Sequence, residues 1–79
     1  MNQTKYEIRY LLCNNEDGKY YWYDTLVNSE LWLSNPIDAY MFTTSAEANK
    51  VRKKLMEYPE YDDIVIVKAD IEMKLKDIK

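Results

Sequence analysis

Apolar and polar residues alternate along Tyr6-Glu7-Ile8-Arg9-Tyr10, and the pattern runs on into Leu11 and Leu12. A period of two with tyrosine and isoleucine at the apolar positions predicts a β-strand. Asn14-Asn15-Glu16-Asp17-Gly18 comes next, and its Asp-Gly pair marks a turn, because glycine takes positive φ without a steric cost. Lys19 to Thr25 then reads as a second strand that closes an antiparallel hairpin with the first. Leu31, Trp32 and Leu33 are bracketed by Asn28-Ser29 and Ser34-Asn35-Pro36. Residues 26–36 are therefore either a short strand or a loop that tucks Trp32 into the core. Ile37 to Phe42 predicts a further short strand.

The period changes after Phe42. Thr44 followed three residues later by Glu47 has the form of a capping box, which satisfies two free backbone N–H groups at a helix start. Ala48, Val51, Leu55 and Tyr58 recur on one helical face, while Lys50, Lys53, Lys54 and Glu57 lie off it. Pro59 predicts a stop near Tyr58, because the residue before proline disfavours helical ψ. A turn is expected at Tyr61-Asp62-Asp63, and a β-branched strand from Ile64 to Ala69. The remainder, 70–79, is open: Ile71, Met73 and Leu75 fit a continued strand, and Ile71, Leu75 and Ile78 fit a helix. The expected fold is α+β. It is a small antiparallel sheet of three or four strands, in the chain order β-β-(β)-β-α-β, with one helix packed on one face.

Length keeps this to a single domain, 1–79, with a small core, since a chain of 79 residues buries only about 60% of its unfolded surface. With 47% hydrophobic and 14% aromatic residues, the chain lies outside the disordered range. A single glycine excludes a glycine-rich phosphate cradle. The net charge of −3 argues against generic binding to a nucleic-acid backbone. One cysteine, Cys13, allows no intrachain disulfide and suits a reducing compartment. No apolar run is long enough to span a membrane, and the N-terminal residues lack the apolar core of a signal peptide. These features give the expectation of a soluble, cytoplasmic protein that does not act at a membrane.

The absence of histidine removes the commonest general base, the commonest metal ligand and the Ser-His and Cys-His nucleophile pairs. One cysteine builds no zinc site, and Glu60 with Asp62 and Asp63 reads as a solvated turn sooner than a calcium loop, which needs more ligands and usually a glycine. The expectation is no catalysis, no cofactor and no metal. Two features remain. The run Tyr20-Tyr21-Trp22-Tyr23 puts aromatics on both faces of a strand, and one helix covers only one face. Ile64 and Ile66 oppose Val65 and Val67 in the same way. Tyr and Trp are enriched at interfaces, so the excess is read either as partner-facing or as covered by a returning loop. The acidic group Glu57, Glu60, Asp62 and Asp63 carries charge that can imitate nucleic-acid phosphates in a cationic protein groove.

Asp38-Ala39, Phe42-Thr43-Thr44 and Glu47-Ala48, with Val51 and Leu55 beyond, resemble a pattern in small accessory proteins of phages and mobile elements. There a tyrosine-rich hairpin precedes a short strand ending in Phe-Thr, a capped helix and a Val/Ile strand. The resemblance covers about residues 5–69 and is one of architecture, so it transfers no active site. It implies an anti-defence protein of the anti-CRISPR type acting in a bacterial host. On that reading the chain is a non-catalytic inhibitor that binds a host protein or ribonucleoprotein complex and occupies the nucleic-acid groove of an effector nuclease. Its expected partner-binding residues are Glu57, Glu60, Tyr61, Asp62, Asp63, Tyr23 and Trp32. A second reading is a nucleic-acid-binding accessory protein that stacks bases on Tyr21 and Tyr23, with Lys50, Lys53 and Lys54 on phosphates. A third is a self-associating module that buries the extra aromatic face in a homodimer.

Overall fold

The structure, a computed structural model, describes residues 3–75. Four strands, β1 (Gln3–Asn14), β2 (Lys19–Asp24), β3 (Ser29–Leu33) and β4 (Ile64–Leu75), form one antiparallel sheet in the order β3-β2-β1-β4. One helix, α1 (Ser45–Leu55), lies between β3 and β4 in the chain and packs on β1 and β4. The α+β architecture agrees with the sequence pattern. No helix among the described residues is long and apolar enough to cross a membrane.

Pairing is uneven across the sheet. β1 and β4 match along all twelve residues, from Gln3 opposite Leu75 to Asn14 opposite Ile64. β1 and β2 pair only beside their turn, at Cys13 with Tyr20 and Asn14 with Lys19. Gly18 sits in that turn at φ +69°, where its missing Cβ removes the steric penalty. Beyond the turn β1 and β2 separate, and the segment ending at Phe42 fills the opening. Phe42 exchanges two backbone hydrogen bonds with Tyr10, at 2.8 and 2.9 Å, and Tyr40 N–H donates to the Tyr21 carbonyl.

The strand expected over Ile37–Phe42 is therefore replaced by a single 3₁₀ turn, Pro36–Asp38, and an isolated bridge at Phe42. The cause is local. Pro36 fixes φ at the first helical position, and the Asn35 side chain accepts from the Ile37 N–H. Residues 26–36, open on sequence, contain β3, whose Trp32 lies opposite Tyr21. The open C-terminal stretch continues as a strand to Leu75, because β1 offers a paired edge over its full length. Ile78, which belonged to the helical alternative, lies outside the described residues.

Helix α1 starts as expected. The Thr44 hydroxyl accepts from the Glu47 N–H at 3.2 Å, but the return half of the capping box is replaced: the Glu47 carboxylate takes the Thr43 hydroxyl at 3.3 Å in place of the Thr44 N–H. Thr44→Ala is expected to cost about 1 kcal/mol through loss of this cap. A urea melt of the variant checks it, and a midpoint equal to wild type would sink it. Tyr58, expected on the buried stripe, is instead over half exposed. The helix ends at Leu55, and i to i+3 bonds from Glu57 to Lys54 and from Tyr58 to Leu55 tighten the chain before Pro59. The turn expected at Tyr61-Asp62-Asp63 falls earlier, over Met56–Glu60, and Tyr61–Asp63 has no regular structure.

Leu12, Tyr21, Phe42, Ala48, Leu55 and Ile64 make the core between the sheet and α1. Leu12 and Ile64 are fully buried. Alternation places Leu11, Cys13, Tyr20, Trp22, Leu31 and Leu33 on the sheet face away from the helix. That face is partly covered. Leu11, Cys13 and Ala39 are buried, the 3₁₀ turn packs against β2, and the Trp22 and Tyr40 rings lie 5.9 Å apart. Trp22 and Leu31 stay more than a third exposed. Burial pushes the Cys13 thiol pKa up, and the negative charge of Asp17 adds to the shift, which favours the protonated thiol.

Candidate binding surface

Because α1 sits over β1 and β4, the helix-side face of β2 and β3 is left beside an open groove of about 480 Å³. Its walls are Tyr21, Tyr23 and Glu30 from the sheet, and Val51, Lys54, Leu55, Glu57 and Tyr58 from the helix and its exit. A second depression of about 310 Å³ continues past Tyr23 and Val51 to Thr25, Tyr40 and Phe42. Tyr23 is half-buried here and its hydroxyl bonds to the Asn28 side chain, which fixes the ring against the turn. Asn28 holds φ +54° in that turn, a conformation asparagine tolerates better than most residues.

Aromatic contacts lead from the core out of the groove. Tyr21 meets Trp32 edge-on at 5.9 Å, Trp32 lies 5.4 Å from Tyr61, and Tyr61 meets Tyr58 edge-on at 6.2 Å. The Trp32 indole N–H donates to the Tyr61 hydroxyl at 3.3 Å. Two of the expected anchors, Trp32 and Tyr61, are thus brought together from positions 29 residues apart.

The chain continues from Tyr61 into an acidic pole. Asp62 and Asp63 are exposed and lie beside Glu16 and Asp17 of the β1–β2 turn. The two loops are tied together: Asn15 N–H donates to the Asp63 carbonyl at 2.9 Å, and the Asn15 amide reaches the Asp63 carboxylate at 3.4 Å. The turn itself is braced by the Asn14 side chain, which accepts from Glu16 N–H, and by Asp17, which accepts from Lys19 N–H. A hydrogen bond to Asp62 and the charges of Asp62, Asp63 and Asp17 push the Glu16 carboxyl pKa above the usual glutamate range. Its sign is that of a group that favours the folded state when protonated. The contribution is present at acid pH and is lost as pH rises through the raised folded pKa. Asp62→Asn is expected to bring the Glu16 titration back down. A carboxyl-carbon NMR titration checks this, and an unmoved Glu16 midpoint would reject the Glu16–Asp62 contact.

The structure distributes the expected partner residues over two adjoining regions. Tyr23 and Glu57 line the groove, Trp32 and Tyr61 join it to the pole, and Asp62 and Asp63 form the pole. Glu60 is exposed in the turn after Pro59. Glu16 and Asp17 were not among the residues picked from sequence. Their Asn-Asn-Glu-Asp-Gly setting reads as a turn, and only the β1–β4 register carries that turn to Asp62 and Asp63. The nucleic-acid reading loses part of its platform, because Tyr21 is packed in the core and only 7% exposed. No group of residues able to hold a metal ion occurs among the described residues. No known protein family, curated protein or solved structure matches this chain.

Proposed function

We propose that the protein is a non-catalytic binding module that docks its acidic pole on a cationic protein surface, as an inhibitor of a bacterial defence nuclease would. The observation that supports this is the joining of Glu16 and Asp17 to Asp62 and Asp63 by the Asn15–Asp63 hydrogen bonds. Four carboxylates held on two tied loops are pre-organised, so less ordering entropy is lost on docking. Their charge steers the chain toward a groove that normally accepts phosphates, the groove of an effector nuclease in the anti-CRISPR form of the reading. Trp32, Tyr61 and Tyr58 stand next to the pole and supply the apolar contact that slows dissociation. Such a partner places the protein in the cytoplasm of a bacterial host, where an unpaired buried Cys13 is at home.

Replacing Asp62 and Asp63 together by lysine is expected to weaken binding at least tenfold, about 1.4 kcal/mol. Both side chains are exposed, so the fold persists and circular dichroism serves as the control. The measurement is a titration against CRISPR effector complexes at low and high salt, with association slowing as salt rises. A folded double variant that binds as well as wild type would reject the acidic-pole mechanism. Absence of binding to every effector complex would reject the inhibitor reading.

A further inference from the structure

β4 is the end strand of the sheet, and its outer edge is unpaired among the described residues. A long edge strand is a template for pairing with another strand, and charges along it block a partner unless they meet opposite charges. β4 has twelve residues, no proline and a regular register along its whole length. Its inner partner fixes which groups point outward. Asn15 N–H bonds to the Asp63 carbonyl, and Tyr10 spends both its backbone groups on Phe42, away from β4. Hydrogen-bonded pairs alternate along an antiparallel ladder, so the odd-numbered residues of β4 face β1. The N–H and C=O groups of Ile66, Lys68, Asp70, Glu72 and Lys74 face the free edge. At the near end Arg52 donates to the Ile64 carbonyl, so that position is already capped.

We propose that β4 pairs with β4 of a second copy of this chain, antiparallel, about a two-fold axis at Ala69. Charge and length of overlap together select this register. An axis at Lys68 sets lysine opposite lysine. One at Asp70 pairs Lys68 with Glu72 but sets the two aspartates opposite each other at its centre. One at Ile71 sets Asp70 opposite Glu72 and Lys68 opposite Lys74. One at Met73 pairs Glu72 with Lys74 but overlaps the strands only over residues 71–75. An axis at Val67 makes no charge pair at all. With the axis at Ala69, Lys68 lies opposite the partner's Asp70 on both sides of the axis. Lys68 with Asp70 and Ile66 with Glu72 are then the hydrogen-bonded pairs. On the other face Val67 meets Ile71 and Val65 meets Met73, in the closely spaced pairs that favour apolar contact.

The same register gives a partner to the part of the molecule that projects from its body. Its longest extent is 53 Å against 25 and 20 Å, because Gln3–Ile8 and Asp70–Leu75 run on as a two-stranded ribbon. Tyr6, Ile8, Met73 and Leu75 are exposed on it. A bare two-stranded ribbon is marginal in water and needs a third strand. Pairing about Ala69 lays each ribbon along Ile64–Lys68 of the partner, beside the helix-covered body. The result is a continuous eight-stranded sheet with an acidic pole on each half. At about 3.4 Å per residue the starts of the two β4 strands, next to those poles, stand roughly 34 Å apart.

The test is the association state of the full chain, measured by sedimentation equilibrium with circular dichroism as the folding control. Wild type is expected to be a dimer. Lys68→Glu alone sets glutamate opposite aspartate, and Asp70→Lys alone sets lysine opposite lysine. Each is expected to raise the dimer dissociation constant at least tenfold, and the two together to restore it. Independently, Ala69→Cys is expected to cross-link two chains through position 69 under mild oxidation, because that residue faces its own copy. A monomeric wild type would overturn the proposal. So would a dimer that both single variants leave intact, a folded charge-swapped chain that stays dissociated, or an Ala69→Cys chain that forms no cross-link.

Discussion

Phe42→Ala is expected to cost about 3–5 kcal/mol, the largest single loss in this fold. Phe42 stands where β1 and β2 have separated, with its backbone bonded to Tyr10 and its ring stacked on Tyr21 at 6.3 Å and tilted against Tyr40 at 4.7 Å. It is buried to 5% exposure, between two strands that do not pair with each other at this level. Removing the ring opens a cavity that the strands cannot close, because the Phe42 backbone still holds them apart. Stability of about 0.05–0.15 kcal/mol per residue gives the domain only about 4–12 kcal/mol in all. A urea melt should therefore show the variant partly unfolded in water. Phe42→Leu retains most of the volume and should lose much less. Equal midpoints for Phe42→Ala and wild type would mean that the ring does not seal the opening.

Leu55→Ala is expected to cost about 2–5 kcal/mol. Leu55 is the last residue of α1 and is buried in one cluster with Leu12, Tyr21, Ala48 and Ile64. It is also a wall of the groove, so its loss joins the groove to the core and admits water. The outcome is read in a denaturant melt. A loss below about 1 kcal/mol would place Leu55 outside the core. The contrast with Tyr58 makes the test sharp. Both lie on the same helical stripe in the sequence, yet Tyr58 is 54% exposed and its truncation should leave stability nearly unchanged.

Elements set by neighbouring residues were legible in the chain. Alternation from Tyr6 to Leu12 gave β1, Asp17-Gly18 gave the turn, and Thr44 gave the helix start, because each depends on contacts a few residues away. The same locality hid the end of the helix. Spacing alone continues the stripe to Tyr58, whereas the chain tightens after Leu55. It also misled over Ile37–Phe42, where β-forming side chains outweighed the Asn35-Pro36 start of a 3₁₀ turn.

The binding surface was legible only in part, for the same reason. Tyr61, Asp62 and Asp63 stand out by composition, but their neighbours Trp32, Glu16 and Asp17 come from 29 to 46 residues away. Hydrophobic pattern and turn chemistry act over a few residues, so the sequence by itself determined the antiparallel strands, the capped helix and the absence of histidine chemistry. Tertiary structure alone decided that β4 lies beside β1 and not beside β3, and that Phe42 separates β1 from β2. It alone decided that two acidic loops share one pole. Those outcomes depend on which distant apolar faces are buried together. The alternation along a single strand is the same whichever neighbour it acquires.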